Sequence, residues 1–167
     1  MQKKQGYRAM ILSTKIEGEA KEVGCVFAGI AKEISLYNRP IEAPCVIISA
    51  GETRVTVGDV AGEGGPNREF VIGFAENIKG YSHIVCASID SEGTDGPTDI
   101  AGGITDETSV ECAKNKGIDV FEGLRLHDSS NVLTRIDDAI YTVATGTNVV
   151  NLRVMVIGEN EHGPDEN

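Results

Sequence analysis

The stretch around which the rest of the chain is organised reads Asp90-Ser91-Glu92-Gly93-Thr94-Asp95-Gly96-Pro97-Thr98-Asp99-Ile100-Ala101-Gly102-Gly103. It follows an apolar segment, residues 82–88, which is the best strand candidate in the chain, and we expect a helix after it. The stretch holds four acidic side chains, four glycines and three hydroxyls, more than a strand-to-helix turn requires. Because α/β proteins keep their sites in loops at strand ends, we expect a functional site here.

Length, charge and cysteine spacing narrow the class of protein. The 167 residues suffice for one domain with its own core. A net charge of −11 repels phosphate backbones and argues against a nucleic-acid partner. No apolar run reaches the ~20 residues that span a bilayer, and residues 1–5 carry no signal-peptide pattern, so we expect a cytoplasmic protein with no membrane partner. Cys25, Cys45, Cys86 and Cys112 form no CxxC pair, so we expect buried free thiols.

Alternating strand and helix patterns predict a single layered α/β/α domain with a mixed sheet over residues 1–158, followed by a polar tail, 159–167, that we expect to be disordered. The predicted strands are 7–13, 45–49, 53–57, 83–88, 140–144 and 152–157. The predicted helices are 17–37, 66–78, one around 110–113 capped by Thr105 or Asp106, 120–126 and 131–136. The last two strands are too close in sequence for a helical crossover, so we expect them to pair antiparallel.

The acidic side chains of the central stretch allow two interpretations. Asp90, Glu92, Asp95 and Asp99 are hard oxygen ligands of the kind that Mg²⁺ or Ca²⁺ selects. An EF-hand is excluded, because a loop counted from Asp90 has Asp95 where glycine is required and Ala101 where glutamate is required. One hypothesis is a single catalytic carboxylate that aligns a hydroxyl. The alternative is a tight turn in which Asp and Thr side chains bond their own backbone.

Two glycine-containing segments are further candidates. Residues 62–67 (GEGGPN) open a predicted helix, where glycines let the backbone approach an anion and the helix N-terminus offers free N–H groups. No Lys-Ser or Lys-Thr follows, so this is not a Walker A loop, and a surface hairpin is the alternative. Residues 145–148 (TGTN) offer hydroxyls and an amide to phosphate or carboxylate oxygens, with a hairpin turn as the alternative.

The cluster His127-Asp128-Ser129-Ser130 superficially suggests a Ser/His/Asp triad. Triad members are seldom sequence neighbours, and the chain has no Gly-x-Ser-x-Gly elbow. We therefore expect Asp128 or Ser129 to cap a helix. His83, at the start of a predicted strand, is expected to be structural.

Five segments, taken in order, resemble the motifs of the type II glycerate kinases. They are residues 11–23 (ILSTKIEGEAKEV, for ILST-x-hydrophobic-EGEA-[RK]-E-V), 49–53 (SAGET, for SGGET), 64–69 (GGPNRE, for GG-[RP]-NQE), 93–102 (GTDGPTDIAG, for G-x-DGPTDAAG) and 145–149 (TGTNV, for TGTNV). The resemblance runs from about residue 7 to residue 157. This region is similar to the MOFRL domain, the C-terminal part of proteins that are also labelled hydroxypyruvate reductase.

The resemblance implies ATP-dependent phosphorylation of D-glycerate to 2-phosphoglycerate with Mg²⁺, in a cleft between this region and an N-terminal α/β domain. The implied partners are a sugar acid, a nucleotide and that N-terminal domain. Met1 lies close to the first predicted strand, so we expect the domain to come from outside these residues. A homo-oligomer is another way to cover a truncated interface.

By the same resemblance, Asp95 and Glu92 are the predicted catalytic residues, and Asp90 and Asp99 are the predicted metal ligands. The predicted contacts to substrate or phosphate are Glu52, Gly64, Gly65, Asn67, Arg68, Thr147 and Asn148.

The motifs also depart from the family pattern. Pro66 stands where many members have Arg, and phosphoryl transfer relies on positioned positive charge. Arg68 replaces the usual Gln, Glu92 a common Asp, Ala50 a Gly, and Ala144 a Pro. The alternative hypothesis is therefore a stand-alone, non-catalytic module that binds a small anion or regulates. A reductase is disfavoured, because no Gly-x-Gly-x-x-Gly follows a strand.

Overall fold

The computed structural model describes residues 6–59, 62–96, 98–146 and 150–159. These residues form five helices and eight strands. The helices are α1 Ala20–Tyr37, α2 Pro66–Asn77, α3 Ser109–Asn115, α4 Val120–Arg125 and α5 Ser129–Ile136. The strands are β1 Arg8–Ser13, β2 Gly18–Glu19, β3 Cys45–Gly51, β4 Thr53–Arg54, β5 Ile84–Asp90, β6 Ile100–Asp106, β7 Ala139–Tyr141 and β8 Asn151–Ile157.

Six of the strands form one sheet in the order β1-β3-β8-β5-β6-β7. The β1–β3 pair is parallel, and the other four pairs are antiparallel. A second sheet consists of the short parallel pair β2–β4. The prediction of an α/β domain with a mixed sheet is therefore confirmed, with helices flanking that sheet. In the part of the chain that the structure describes, no helix has the length and apolarity to cross a membrane.

The predicted pairing of the last two strands is wrong. β7 pairs with β6 at the edge of the sheet, whereas β8 lies between β3 and β5 and is antiparallel to both. The alternating burial of β8 explains its central place, because Met155 and Ile157 enter the core on one face. A short sequence separation thus gave the wrong partner, since the chain returns to the centre of the sheet instead of turning back on β7.

The central stretch runs into a strand at Ile100 and not into the expected helix, and we call its residues 90–99 the central loop. β6 begins at Ile100 and pairs antiparallel with β5, so the stretch is the loop of a long hairpin. Its glycines conceal the strand pattern, but close packing requires them. A Cβ on Gly102 would lie 1.9 Å from the Ser88 carbonyl oxygen. The Asp95 N–H donates to the Ile100 carbonyl at 2.7 Å and closes the loop.

Smaller differences between the predicted and the observed helices and strands concern the residues at which they begin and end. α1 begins at Ala20 and not at residue 17, because Gly18–Glu19 pairs with β4. The strand predicted over 53–57 ends at Arg54. Thr105 and Asp106 belong to β6, so the expected cap of α3 is displaced to Thr108, whose N–H donates to Asp106 Oδ1 at 2.7 Å.

The cysteine prediction holds in part. All four thiols are free, as expected. Cys45 and Cys86 are buried in the core, whereas Cys112 is half-buried and Cys25 is exposed. The helical surface around Cys25 therefore faces solvent, although its neighbours in sequence are apolar.

The core lies between the sheet and the helices, and α2 is at its centre. Residues 67–75 of α2 are all buried. α1 packs directly on α2 through two glycines: a Cβ on Gly24 would lie 2.2 Å from the Phe70 carbonyl oxygen, and one on Gly73 would lie 2.4 Å from that of Lys21. The Phe27 and Phe70 rings meet edge to face with centroids 5.2 Å apart. This packing holds α1 and α2 together in the core.

α1 and α2 pack on the same face of the sheet. The crossovers β1-α1-β3 and β3-α2-β5 step in the same direction, and right-handed crossovers then put both helices on the same side. Along β3, β5 and β8 the buried residues alternate with half-exposed or exposed ones. On the side opposite to the core, one residue from each of five strands aligns in a row across the sheet, and none of the five is fully buried. They are Ile11, Ile48, Val154, Ala87 and Ile104.

Candidate functional site

The glycine-rich loop before α2 is anchored to the connection between α4 and α5. The Gly62 N–H donates to the Leu126 carbonyl at 2.7 Å, and the Ser130 N–H donates to the Glu63 carbonyl at 2.9 Å. A Cβ on Gly64 would lie 2.6 Å from the carbonyl oxygen of His127. Glycine is therefore needed here because two backbone segments approach closely, and the loop has a defined position.

A cleft of about 690 Å³ opens beside this loop. Its walls include residues 62–66, together with Glu69 of α2, Gly96 of the central loop and His127. Val55 and Val57, which follow β4, close one side with apolar surface. The cleft thus joins the third and fourth sequence motifs, and the segment that follows the second motif closes one side.

Asp95 lies beneath the cleft, at the N-terminal end of α2, and is only 2% exposed. Its carboxylate accepts hydrogen bonds from the backbone N–H groups of Asn67 and Arg68 at 3.1–3.2 Å. It also accepts from Asn67 Nδ2 at 3.0 Å and from Arg68 Nε at 3.2 Å. Pro66 has no N–H, and the Glu69 N–H donates to the Gly65 carbonyl. The helix N-terminus was expected to offer free N–H groups to an anion, but Asp95 already occupies them.

Asn67 and Arg68, predicted to contact phosphate or carboxylate, are both fully buried. The guanidinium of Arg68 also bonds the Asp95 carbonyl oxygen and the Ser130 hydroxyl. Asn67 donates to Asn151 Oδ1 at 3.0 Å and accepts from the Ser88 hydroxyl. These side chains tie α2, the central loop, α5 and the sheet together. Gly64 and Gly65 line the cleft through their backbone.

The other acidic residues of the central loop face outward. Asp90 is half-exposed, and its Oδ1 accepts from the Glu92 N–H at 2.7 Å, as in the tight-turn alternative. The side chains of Glu92, Asp99 and Glu52 are exposed. Within residues 6–59, 62–96, 98–146 and 150–159, no group of three or more His, Cys, Asp or Glu side chains could hold a metal ion.

The fifth motif begins against the central loop. The Thr145 N–H donates to the Glu92 carbonyl at 3.2 Å, and the Thr145 hydroxyl bonds the Ser91 carbonyl. Thr147 and Asn148, the predicted ligand contacts of this motif, lie outside the described residues. At the other end of the site, the first two motifs join through the β2–β4 pair and through Glu19, which accepts from the Thr56 N–H at 2.9 Å.

Glu69 and His127 form a pair that the sequence did not reveal. His127 Nδ1 lies 2.9 Å from Glu69 Oε1, and both residues line the cleft. Glu69 is fully buried, and its Oε2 has no hydrogen-bond partner among the described residues. Burial raises the pKa of Glu69, and the hydrogen bond from His127 opposes this only in part.

The sequence hypothesis for residues 127–130 therefore needs correction. Asp128 precedes α5, but neither its side chain nor that of another residue makes the expected cap hydrogen bond within the described part of the chain. His127 instead lines the cleft, and Ser130 bonds Arg68. The polar composition of the cluster was the one local signal, and the partners, Glu69 and Arg68, are about 60 residues away in sequence.

Known proteins are similar to this chain in sequence and in fold. The chain is 40% identical over 152 residues to the glycerate 2-kinase of Pyrococcus horikoshii, covering 91% of this chain and 34% of that protein. A protein of Agrobacterium vitis named as a hydroxypyruvate reductase is 39% identical over 154 residues, which is 92% of this chain and 40% of that protein. The crystal structure of glycerate kinase from Thermotoga maritima superposes with a TM-score of 0.89 at 37% identity, covering 92% of this chain and 37% of that one.

The present chain thus spans little more than a third of the length of these relatives. Its sequence matches the MOFRL family over residues 45–151, which include β3 to β7 and the whole of the cleft described above. The chain belongs to the MOFRL family, and it corresponds to the C-terminal region of the glycerate 2-kinases to which it is similar.

Proposed function

We propose that this chain forms one wall of an active site for ATP-dependent phosphorylation of D-glycerate to 2-phosphoglycerate. The observation that carries the proposal is that the third and fourth family motifs line one cleft, with the second and fifth next to them. Asp95 of the fourth motif binds the start of the third, the fifth contacts the fourth through Thr145, and Val55 follows the second. Motifs so distant in sequence meet at one place when they serve one site.

The buried and exposed acidic residues suit different roles. Glu92 is exposed on the central loop, three residues before Asp95, and we propose that it contacts the substrate hydroxyl or the bound nucleotide. Asp95 is proposed as a positioning residue, because its acceptor atoms hold the start of α2 and Arg68. Glu52, Gly64, Gly65 and the TGTN segment with Thr147 and Asn148 remain the proposed contacts to glycerate and phosphate.

The donor set fits Mg²⁺ only in one form. Magnesium often binds one or two carboxylates and completes its shell with water and substrate phosphates. Asp90 is half-exposed and Asp99 exposed, and no cluster of three ligands occurs among the described residues. These residues therefore suit an ion that arrives with the nucleotide and not one held by protein alone. Such an ion would neutralise charge on the transferred phosphoryl group.

The second wall is proposed to come from an N-terminal α/β domain. This chain spans about a third of the length of its relatives, and we propose that the remaining two thirds supply the residues that complete the site. Among the described residues that line the cleft, His127 alone has a basic side chain, whereas phosphoryl transfer needs several positive groups. The missing positive charge is therefore assigned to the other domain.

The test is a coupled assay of ADP production, run with the chain alone and with a separately expressed N-terminal part of the Thermotoga maritima relative. We expect D-glycerate-dependent turnover only in the mixture. Glu92→Gln should lower it at least about tenfold, since a group acting in proton transfer contributes about 10²–10⁴-fold. Glu111→Gln, an exposed substitution on α3, is the matched control. No turnover under either condition contradicts the proposal.

A second candidate is a non-catalytic module that binds a small anion. Pro66 favours it, because this residue lines the cleft at the first position of α2, where many family members carry Arg. Calorimetry with Mg-ATP and with D-glycerate separates the two. Binding without turnover in the reconstituted mixture supports the module, and the absence of binding to either ligand contradicts it.

A further inference from the structure

The Glu69–His127 pair differs from the other polar contacts near α2, because it faces the cleft. Nδ1 of His127 is held by Glu69 Oε1 at 2.9 Å. Nε2 has no hydrogen-bond partner among the described residues, and the ring is 14% exposed. A carboxylate on one ring nitrogen fixes the tautomer and orientation of the imidazole, which leaves the other nitrogen to serve a ligand.

The backbone around His127 is built to hold this orientation. His127 has a φ of 55°, in the left-handed region that non-glycine residues rarely adopt. The flanking hydrogen bonds, from Gly62 N to Leu126 O and from Ser130 N to Glu63 O, keep the segment in place. A Cβ on Gly62 would lie 2.7 Å from the Leu126 carbonyl oxygen, so the loop can pass this close to the His127 segment only with glycine at that position.

Charge in the cleft defines what His127 can bind. The acidic groups near the pair are Glu63 of the loop, Asp128 beside His127 and Glu19 of β2, and the nearby cation is Lys21 of α1. Among the described residues that line the cleft, His127 alone can become positively charged. When both ring nitrogens carry protons, Nδ1–H stays on Glu69 and Nε2–H is a charged donor at the cleft.

We propose that His127, oriented by Glu69, is the oxyanion-binding residue of this cleft and takes up a proton when an anionic ligand binds. The ligand class is a small acid whose carboxylate or phosphate oxygen accepts from Nε2–H. The proposal rests on the proposed function only for the choice of ligands, because the binding step needs this chain alone. No covalent step is involved, and the proton comes from solvent.

Calorimetric titration of the full chain with D-glycerate, 2-phosphoglycerate and inorganic phosphate tests the proposal. Each titration is run at about pH 6 and about pH 8, where a histidine of ordinary pKa changes charge. Buffers of different ionisation heat report proton uptake. We expect affinity to fall about tenfold at the higher pH, as for loss of a charged hydrogen bond, with uptake of a proton on binding. Comparison of the affinities for D-glycerate and for inorganic phosphate shows whether a carboxylate or a phosphate is preferred.

Three variants sharpen the result. His127→Gln should bind weakly at both pH values, and Glu69→Gln should move the loss of affinity to lower pH. His83→Gln, which changes an exposed histidine elsewhere, is the control and should behave as the parent chain. If a cleft variant does not fold, the ring-proton NMR signal of His127 in the parent chain, followed on addition of ligand, replaces it.

Binding that is independent of pH and unchanged in His127→Gln would overturn the inference, and so would the absence of binding by all three anions. An unshifted His127 ring signal at saturating ligand would also contradict it. Failure of this inference can be distinguished from failure of the proposed function. A chain that binds anions through His127 but gives no turnover in the mixture retains this inference and loses the kinase proposal.

Discussion

Asp95 and Glu69 are two buried carboxylates at the same end of α2, and they differ in how fully their oxygens are satisfied. Asp95 accepts from four donor groups, two on Asn67 and two on Arg68. Glu69 has one partner, His127, and its second oxygen has none among the described residues. A saturated carboxylate stabilises structure, whereas an unsaturated one beside a cleft is available to orient a group that binds ligand.

Burial alone does not separate the two residues, because both are almost fully inaccessible to solvent. Their partners do. Asp95 faces the guanidinium of Arg68 and two helix N–H groups, so its charge is compensated. Glu69 faces one imidazole, and burial still raises the pKa of this carboxyl. Removing the two charges should therefore have different effects on stability.

The largest effect is expected from matched substitutions that remove each charge. Asp95→Asn leaves the fully buried Arg68 without its carboxylate and should lower the free energy of unfolding by about 3–5 kcal/mol. Glu69→Gln should cost less than about 1 kcal/mol, because it removes a carboxylate that burial already destabilises. Urea unfolding followed by circular dichroism measures both.

Glu92→Gln, at an exposed position of the same loop as Asp95, is the control and should stay within about 0.5 kcal/mol of the parent chain. Equal losses for Asp95→Asn and Glu69→Gln, or a larger loss for Glu69→Gln, would contradict the distinction between the two carboxylates.

A smaller loss is expected where a methyl group is forced into the Asp95 network. A Cβ on Gly65 would lie 2.4 Å from Asp95 Oδ2 and 2.7 Å from Arg68 Nη2. Gly65→Ala should therefore cost about 1–3 kcal/mol through displaced polar groups. Gly29→Ala on α1 meets nothing within 4 Å and should stabilise the helix by about 0.5–1 kcal/mol. Thermal unfolding compares them, and two changes of the same sign would be inconsistent with the packing described.

A third carboxylate of α2 extends the comparison to pH. Burial, and then the nearby charge of Asp119, raise the pKa of Glu76 from 4.5 to about 7. The folded chain therefore holds this proton more tightly than the unfolded chain. Its contribution to stability is complete below about pH 4.5 and is lost as pH rises through about 7.

Glu76→Gln should abolish this dependence, so its unfolding free energy should gain on that of the parent chain over the same pH range. Denaturant unfolding at several pH values provides the measurement. A difference between the two proteins that does not change with pH would show that Glu76 titrates normally.

The sequence predicts those helices and strands whose ends and burial are marked by local residue patterns. Pro66 after glycines marked the start of α2, and the apolar run from Cys45 marked a central strand. β6 was not predicted, because Gly102 and Gly103, which close packing requires, interrupt the alternation of apolar and polar residues that marks a strand. The position of β8 in the sheet was not predicted, because strand order depends on pairing between segments that are distant in sequence.

The candidate site shows the same limit. The resemblance singled out Asp95, but its saturation by Asn67 and Arg68 depends on tertiary contacts. Glu69 and His127, 58 residues apart, had no shared local signal. Composition and motif order thus located the loop, whereas burial and hydrogen bonding distinguish a residue that holds the site from one that faces a ligand.

The most direct test of the central claim is the activity of a chimera in which this chain replaces the matching C-terminal region of the Thermotoga maritima glycerate kinase. We predict ATP consumption that depends on D-glycerate and that Glu92→Gln reduces far more than Glu111→Gln does. A folded, soluble chimera that consumes no ATP in the presence of D-glycerate would contradict the proposal that this cleft is one wall of a glycerate kinase site.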